Sequence, residues 1–512
     1  MIQFGESSST MPFYKRTKMN KSNSSSSYNT VKNFVTPTTA SYNYVLDCLV
    51  KSGHENSTQK VEEILRRMIE LCNDGYYDKV KPNCYSFNIV ITALARSNHH
   101  KAATRADAIL TILLDLYKNG DEDLKPDTAC FNACIYAWSR SREKGSAMKA
   151  ESVLNNLEEW GQKYDSSVRP NTISYSSAIT AWARSNEKNA GHRAERLLAK
   201  MEKAFEEGNL EVKPNIITYS AVMDALAKSG TRFAGSKVES LMSRIEGLGL
   251  KPNLITFNIA ISAISQSGEK NITKRVDIML KRMKSYKLKP DTQTWNNLIM
   301  SCIHEKGDLS IKKGESMLIQ MEALHKNGDQ NVKPNATTYT NLMKLYARSD
   351  LPDKAIHTEK LFLTMKHRYE DGEKDMRPTI SSYTTLLQAC AYTIGNKAAK
   401  KEALMIALKT FQSLDDCHYL QPVQVIYGIL IEVFEKLIDD RNERDQYLSK
   451  FFKRCCNEGH LDNYVLRALH RSAQSNLWEE LTSMKLNTRH YDINVKNLPS
   501  QWSSAHYKVK RR

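Results

Sequence analysis

The sequence predicts an α-solenoid, an all-α fold in which short helical units stack one after another. Three observations predict it: a proline phrase recurs along the chain, two helical apolar stripes follow each proline, and polar inserts separate many of the units. The intervals between these prolines are 45, 44, 44, 44, 38, 38, 44, 44 and 44 residues. Self-similarity at a fixed period of this size is typical of solenoids and repeat arrays. The prolines are Pro37, Pro82, Pro126, Pro170, Pro214, Pro252, Pro290, Pro334, Pro378 and Pro422.

The residues after each proline predict the first helix of a unit. A small hydroxyl residue and an aromatic residue come first, and a stretch with helical apolar spacing follows. In the unit that begins at Pro82, for example, Phe87, Val90 and Leu94 share one face. Proline disfavours helix in the residue before it and suits the entry of a helix.

A second apolar stripe predicts a second helix in each unit. After a polar turn at 97–101, Ala106, Leu110 and Leu113 recur at i, i+4 and i+7, as on one face of a helix. Each unit is therefore predicted to be an antiparallel helical hairpin. The longer units carry extra polar residues near their ends, which we expect to form exposed loops on one side of the solenoid. Examples are 119–123, 206–211 and 370–375.

Composition indicates a polyanion as partner. The chain has 74 basic and 57 acidic residues, a net charge of +17, and many of the acidic residues lie in the predicted loops, so the remaining surface is more basic still. Net charge bears on partners and not on fold. No apolar run approaches the ~18 residues that span a bilayer, so we expect a soluble protein without membrane association. The cysteines lack C-x-x-C spacing and are expected to be reduced, packed thiols.

We divide the chain into three regions. Residues 1–36 are rich in serine and poor in acids, which suits either a disordered segment or an organelle transit segment. Residues 37–427 hold the array of about nine hairpins. Residues 428–512 lack the proline phrase but keep a helical pattern, and we expect a degenerate final repeat, a helical cap and a basic tail.

Two columns of residues recur in register within the first helices. We expect the aromatic column to form hairpin core, with base stacking as the alternative, and the small residues six positions later to permit close helix approach. The aromatic residues are Tyr42, Phe87, Phe131, Tyr175, Tyr219, Phe257, Trp295, Tyr339, Tyr383 and Tyr427. The small residues are Ala93, Ala137, Ala181, Ala225, Ala263, Ser301 and Ala389.

The residue directly after each aromatic is polar, and we call this position the reading column. Short amides and hydroxyls both donate and accept hydrogen bonds, as contact with a base edge requires. Helix N-capping favours the same residue types, but capping better suits the hydroxyl residues before the aromatic, namely Ser86, Ser174, Thr218 and Thr256. The reading column consists of Asn43, Asn88, Asn132, Ser176, Ser220, Asn258, Asn296, Thr340 and Thr384.

The repeated phrase Lys-Pro-Asn/Asp, two variable residues, Ser/Thr, aromatic and Asn/Ser/Thr resembles that of the pentatricopeptide repeat family. The resemblance covers residues 38–427, and the tryptophan and Leu-Gly landmarks of tetratricopeptide repeats are missing. It implies a right-handed superhelix of hairpins that binds single-stranded RNA and reads about one base per repeat.

In that family, the reading residue acts together with the residue after the next unit's proline. Pairs that resemble uridine readers are Asn88 with Asp127 and Asn258 with Asp291. Pairs that resemble pyrimidine readers are Asn43 with Asn83, Asn132 with Asn171, and Asn296 with Asn335. Pairs that resemble adenine readers are Ser176 with Asn215 and Ser220 with Asn253. Thr340 with Thr379 and Thr384 with Val423 depart from the pattern. With the RNA 5′ end toward the N-terminus, the implied ligand is pyrimidine-U-pyrimidine-A-A-U-pyrimidine.

Two further columns acquire roles from the resemblance. Basic residues eight positions after the reading column are implied to contact phosphates, with complementation of the helix dipole as the alternative; Gln266, His304 and Tyr392 are exceptions. Aliphatic residues three positions before the reading column are implied to sandwich the base, with packing as the alternative. The basic residues are Lys51, Arg96, Arg140, Arg184, Lys228 and Arg348, and the aliphatic residues are Ile173, Ile217 and Ile255.

The sequence predicts a binding protein and not an enzyme. His357 and Glu359 form an H-x-E triplet, but no C-x-x-C follows to complete a deaminase zinc site. Asp439 and Asp440 are expected to lie in a charged helix-end stretch and not in a nuclease centre. We expect no cofactor and no metal.

The predicted role is in organelle RNA metabolism, in the mitochondrion or plastid, as a monomer with a protein effector as a further partner. One alternative is a protein-interaction scaffold within a larger ribonucleoprotein. Another is the RNA-targeting subunit of a processing complex whose catalytic subunit is separate.

Overall fold

The structure is a computed structural model that describes residues 37–54, 56–73, 78–97, 99–230, 233–304, 308–483 and 494–504. The predicted leader at 1–36 and the basic end at 508–512 lie outside these residues. The chain divides into two compact units, Met1–Val90 and Ile91–Arg512, and each is described by itself. In the described residues the regular elements are all helical, and no helix among them is both long and apolar enough to cross a membrane.

The α-helices and 3₁₀ helices follow one another with short connections. The α-helices are α1 (Thr39–Ser52), α2 (Ser57–Asn73), α3 (Cys84–Arg96), α4 (Ala102–Lys118), α5 (Thr128–Arg140), α6 (Ser146–Lys163), α7 (Thr172–Ser185), α8 (Ala190–Glu206), α9 (Ile216–Lys228), α10 (Ala234–Gly247), α11 (Leu254–Gln266), α12 (Ile272–Ser285), α13 (Thr292–Ser301), α14 (Asp308–Lys326), α15 (Ala336–Arg348), α16 (Lys354–Glu370), α17 (Ile380–Ala391), α18 (Lys397–Asp415), α19 (Gln424–Leu437), α20 (Arg441–Asn457), α21 (Asn463–Ser472) and α22 (Ser475–Thr482). The 3₁₀ helices are η1 (Asp78–Val80), η2 (Glu122–Leu124), η3 (Leu210–Val212), η4 (Cys302–His304), η5 (Gln330–Val332), η6 (Lys374–Met376), η7 (Val495–Asn497) and η8 (Ser500–Ser503).

The all-α solenoid prediction is confirmed. Within the second of these compact units, each odd-numbered helix from α5 to α19 contacts the next odd-numbered helix. Each of them also packs on the even-numbered helix that follows it in the chain, as α5 packs on α6 and α19 on α20. We call odd-numbered helices first helices and even-numbered helices second helices. In the first unit, α1 packs on α2 in the same way. Helix α19 runs across the proposed 427/428 boundary, which stays a prediction.

The aromatic column forms core, as predicted. Eight of its ten rings are at most 3% exposed, and the small residues six positions later are likewise buried. The rings of Tyr42 and Trp295 are partly exposed. Burying such a ring removes apolar area from water and contributes ~1.5–3 kcal/mol. The hydroxyl groups of Tyr175 and Tyr219 also donate to glutamates of the second helices, Glu158 at 2.7 Å and Glu202 at 2.6 Å.

The first helices are capped by the residue that follows the proline, and here the sequence-based prediction was wrong. Asn215 has extended backbone, with φ −126°, and its Oδ1 accepts from the backbone N–H groups of Ile217 at 3.0 Å and Thr218 at 3.1 Å. Thr218 is the third helical residue, and its hydroxyl completes a capping box. Ser86, Ser174 and Thr256 occupy the same third position. The predicted caps are therefore the reciprocal partners of the true caps.

The inserts of the longer units are largely exposed, as predicted, but a buried apolar residue directly follows each of them. These residues close the short 3₁₀ helices: Leu124, Val212, Val332 and Met376 are at most 2% exposed. The insert at 206–211 also accepts a hydrogen bond from the start of its own unit, because the hydroxyl of Thr172 lies 2.9 Å from the backbone oxygens of both Glu211 and Lys213. The end of the unit is therefore tied to the first turn of α7.

Ion pairs connect consecutive second helices from α6 to α12, and we call this set the second-helix ladder. In each pair, a glutamate of one helix contacts a basic residue of the next second helix. Glu151 is the most buried of these carboxylates, and it accepts from Arg196 at 2.6 Å and from the Trp182 indole at 2.8 Å. The other pairs are Glu158–Lys200, Glu195–Lys237, Glu202–Arg244, Glu239–Arg275 and Glu246–Arg282.

Candidate nucleic-acid interface

The fold brings four of the predicted reading asparagines into contact with the predicted second members of their pairs. The Nδ2 of Asn132 lies 3.3 Å from the Oδ1 of Asn171, the cap of the next first helix. Asn258 donates to Asp291 at 3.0 Å, and Asn296 donates to Asn335 at 3.4 Å. In the first unit, Asn43 donates to Asn83 at 3.2 Å.

The other end of each of these four amides also has a partner within the protein. Its Oδ1 accepts from the hydroxyl at the third position of the next first helix. The distances are 2.5 Å from Ser174 to Asn132, 2.6 Å from Thr294 to Asn258 and 2.7 Å from Thr338 to Asn296. The reading asparagines therefore hold the neighbouring cap in place. The cap residue of each pair has a second polar side-chain atom, and this atom takes no part in capping the helix.

The cap residue determines which chemistry that second atom offers. Capping uses Oδ1, as in Asn215 and Asp291. An asparagine cap then has Nδ2, a donor, as its remaining atom, whereas an aspartate cap has Oδ2, an acceptor. Asparagine and aspartate cap helices about equally well. Exchange between them changes the remaining polar atom while the helix start is preserved.

Serine in the reading column leaves more space beside the cap than asparagine does. Ser176 and Ser220 share hydrogen bonds with the third-position hydroxyls of Thr218 at 2.7 Å and Thr256 at 3.0 Å. A cavity of about 280 Å³ opens where α7, α9 and α11 meet. Its lining includes Arg184, Ile217, Ser220, Asn253 and Ile255. The cavity therefore brings together residues predicted for base reading, base sandwiching and phosphate contact.

The predicted sandwiching isoleucines are exposed on this side of the first helices. Ile173, Ile217 and Ile255 are 61%, 64% and 66% exposed. Core packing does not explain side chains with so much surface in water, and Ile217 and Ile255 line the cavity. Burial in the hairpin core therefore does not account for these residues, and their contact with a base stays a prediction.

Burial differs among the reading residues. Asn296 is 2% exposed, and Asn43 and Thr340 are also buried. The hydroxyl of Thr384 donates to a backbone oxygen of its own helix, that of Ser381 at 2.9 Å. By contrast, Ser176 and Ser220 are half-buried. The half-buried serines beside the cavity are the better placed to meet a ligand directly.

The basic column lies in the last turn of the first helices. Lys51, Arg140 and Arg348 occupy this place in α1, α5 and α15, so the helix-dipole interpretation fits their position. Arg96, Arg184 and Lys228 occupy it in α3, α7 and α9.

Several of these cations contact polar groups of the protein. Arg184 donates to the backbone oxygen of Ser139 at 3.3 Å, Lys228 pairs with Asp224 at 2.6 Å, and Arg140 donates to the Tyr136 hydroxyl at 3.2 Å. The side chains remain exposed at their outer surface. Contact of the six cations with phosphate stays a prediction.

Lys436 is a member of the basic column that the sequence analysis missed. It lies in the last turn of α19, and its Nζ is 3.4 Å from the centre of the Tyr392 ring. Tyr392 is an exception in the same column, one 44-residue interval earlier. That interval is the signal that could have identified Lys436.

The rejected catalytic candidates have structural partners. The His357 ring stacks on Tyr346, with ring centres 5.0 Å apart. Asp440 caps α20 by accepting from the backbone of Glu443 at 2.8 Å, and Asp439 lies 3.2 Å from Lys400.

Comparison with known proteins gives one family match. The family described as "Pentatricopeptide repeat domain" matches residues 163–229, 205–267 and 240–305. No curated protein matches the chain.

Solved structures of the pentatricopeptide repeat protein PPR10 from maize are similar to this chain. One has a TM-score of 0.42 and 19% identity over 93% of this chain and 54% of that chain. A structure of PPR10 in complex with an 18-nt psaJ RNA element has a TM-score of 0.48 and 17% identity over 89% of this chain and 61% of that chain. This chain thus spans less than two thirds of the PPR10 chains.

Proposed function

Because this chain contains pentatricopeptide repeats, we propose that it binds single-stranded RNA selectively and reads about one base at each boundary between units. The observation that carries the proposal is the contact between a reading asparagine and the cap of the next first helix at four boundaries, as between Asn258 and Asp291. Such a contact makes one composite polar site at each of these boundaries.

The chemistry of the caps supports the assigned bases. Uracil presents an N3–H donor on its pairing edge, and the second oxygen of Asp291 or Asp127 is an acceptor for it. Adenine presents N1, an acceptor, and the amide nitrogens of Asn215 and Asn253 are donors for it. The proposed ligand is therefore pyrimidine-U-pyrimidine-A-A-U-pyrimidine, read from the N-terminal end.

The size of the reading residue supports the division between purine and pyrimidine. The cavity of about 280 Å³ lies at a boundary where serine, Ser220, precedes an asparagine cap. A purine requires more room than a pyrimidine, and serine is shorter than asparagine. The exposed side chains of Ile217 and Ile255 supply apolar surfaces against which the base can pack.

The basic column is proposed to supply affinity without sequence information. Each phosphate neutralised on a single strand contributes ~0.7 to the salt slope of binding. If all six predicted cations contact phosphates, log K should fall with log salt at a slope of about −4.

We propose that RNA occupancy is the mechanism, without catalysis by this chain. A strand held extended across the first helices is protected from nucleases and from its own secondary structure. The proposed setting is an organelle transcript, in the mitochondrion or plastid, and an effector protein is the proposed second partner.

A second candidate function, a protein-interaction scaffold, is favoured by apolar side chains on the second helices. Ile278, Ile319, Leu363 and Met405 are exposed on α12, α14, α16 and α18, one on each helix. Exposed apolar surface marks protein contact sites when it is contiguous. Such a scaffold would bind partners without a steep dependence on salt.

Selection from a randomised pool of single-stranded RNA, followed by filter binding across a salt series, tests the proposal. We expect enrichment of the proposed core and a steep loss of affinity with salt. The variant Asn258→Ser serves as a matched control and should change the base selected at that position alone. Enrichment of an unrelated sequence would refute the base assignments, and absence of salt-dependent RNA binding would favour the scaffold.

A further inference from the structure

The boundary between α19 and α21 differs from every boundary with an assigned base, because glycine stands in the reading column. The reading residue is the fifth after the cap, as Ser220 is after Asn215; for α19 the cap is Val423 and the fifth residue is Gly428. Asp462 caps α21 and accepts from the backbone of Tyr464 at 3.0 Å. Tyr464 therefore stands in the column of Ile173, Ile217 and Ile255.

The Tyr464 ring lies in the space that a reading side chain would fill. A Cβ atom at Gly428 would meet the ring carbons at 2.1, 2.4 and 3.1 Å, so only glycine fits here. Glycine within a helix is less favourable than alanine by roughly 0.5–1 kcal/mol. Its presence inside α19 is explained by the ring that packs over it.

Hydrogen bonds hold this ring across the boundary. The Tyr464 hydroxyl donates to the Oε1 of Glu432 at 3.3 Å, and Arg471 donates to the same oxygen at 3.1 Å. Tyr392 donates to the other oxygen of Glu432 at 3.4 Å. The ring is therefore anchored by its hydroxyl as well as by its contact with Gly428.

The equivalent place is open in the middle of the array. Between α9 and α11, Ile217 and Ile255 flank the cavity that contains Ser220 and Asn253. At the α19–α21 boundary, the tyrosine covers the reading position and no reading side chain is present to hold the cap Asp462. A nucleobase cannot occupy the space that the ring fills.

We infer that Tyr464 closes the α19–α21 boundary to nucleobases and so ends the RNA site at the preceding boundary, where Thr384 stands. The inference rests on the proposed RNA-binding function. It assigns Tyr464 a role in limiting the length of RNA bound, with the 3′ end of the site before α21.

A length series of oligoribonucleotides tests this role on the full chain. The probe is 5′-fluorescein-CUCAAUC followed by zero to five uridines, in which the first two added uridines fill the Thr340 and Thr384 boundaries. For the wild type, affinity measured by fluorescence anisotropy should stop rising after the second uridine. In Tyr464→Ile, which introduces the residue of the open boundaries, it should rise about fivefold further with the third uridine, through apolar contact with the isoleucine and a hydrogen bond to the cap Asp462. Tyr464→Phe keeps the ring and should behave as the wild type.

A double-mutant cycle tests the contact between Tyr464 and Gly428 by a measurement that does not involve RNA. Gly428→Ala should lower the melting temperature in the wild-type background and should be tolerated in the Tyr464→Ile background, where the ring is gone. If RNA binds but the plateau is the same for wild type and Tyr464→Ile, the closure is refuted and the proposed function stands. If the wild type binds none of the oligoribonucleotides, the proposed function fails and the closure fails with it.

Discussion

The two faces of the hairpins, formed by the first and by the second helices, differ in how fully their polar groups are paired within the protein. On the second-helix ladder, each carboxylate meets a cation of the next second helix, as Glu202 meets Arg244 at 2.9 Å. On the first helices, four reading asparagines hold the caps, whereas the cap Asn253 and the side chains of Ile217 and Ile255 line an open cavity. The chain therefore satisfies its own groups where units are joined and leaves groups open where a ligand is proposed.

The ladder also clarifies the excess of positive charge. Its six glutamates are matched by seven basic residues, because Glu151 pairs with both Arg193 and Arg196, so the ladder contributes little to the +17 of the chain. The basic column at the ends of the first helices is matched less completely, since Lys228 is paired with Asp224 but Arg184 contacts a backbone oxygen. Variants on the two faces are therefore expected to separate stability from RNA recognition.

The largest effect is expected for Glu151→Ala on the ladder. The substitution removes a buried acceptor from Arg193, Arg196 and the Trp182 indole. The loss of hydrogen bonds to a charged group, with the indole left buried, should lower the free energy of unfolding by ~2–3 kcal/mol. Base preference in RNA binding should not change. Denaturant unfolding measures the first quantity and single-base RNA variants measure the second.

An exposed glutamate provides the matched control for this variant. Glu206 lies at the end of α8 and is exposed, and Glu206→Ala should change stability by less than ~0.5 kcal/mol. Equal losses in the two variants would show that the ladder does not join the units. A change in base preference with Glu151→Ala would remove the proposed separation of the two faces.

The next largest effect is expected on the first helices for Asn215, which caps α9 and is also proposed to read a base. Asn215→Ala should cost ~1 kcal/mol of stability, because the cap of α9 is lost. Asn215→Asp keeps the cap and replaces the donor Nδ2 by an acceptor oxygen. It should preserve stability and shift the preference at this boundary by about tenfold, from adenine toward a base with an N–H on its pairing edge.

Thermal unfolding and a set of RNAs that differ at one base separate these outcomes. If Asn215→Asp and Asn215→Ala lose stability equally, the side chain is not a cap. If Asn215→Asp binds with unchanged preference, the second atom of the cap does not read the base, and the base assignments made from Asn and Asp caps are wrong.

The hairpin array was predictable from the sequence because its signals are local and repeated. The proline phrase and the apolar stripes recur within each unit, so the core positions of Phe131 and Tyr219 follow from periodicity alone. The cap was misassigned because Asn215 and Thr218 belong to residue types that both cap helices. The extended backbone of Asn215, with φ −126°, decides between them, and that angle is not visible in the sequence.

Features that join units were harder to predict. Glu202 and Arg244 stand 42 residues apart, and their contact depends on the spacing of a particular pair of units. The contact of Asn258 with Asp291 was implied only by the family resemblance. Tyr464 was missed because Leu461 takes the place of the proline, so the phrase that marks the other units is absent there.

The smallest effect is expected within the basic column itself. Arg184 donates to a backbone oxygen and keeps most of its charge available, whereas Lys228 is paired with Asp224 at 2.6 Å. A phosphate at Lys228 has to compete with that carboxylate. Arg184→Gln should therefore reduce the salt slope of RNA binding by ~0.7, the contribution of one phosphate, and Lys228→Gln should reduce it by less. Lys237→Gln, on the ladder, should leave the slope unchanged in the same filter-binding series. Equal reductions for Arg184→Gln and Lys237→Gln would mean that the phosphate backbone does not distinguish the two faces.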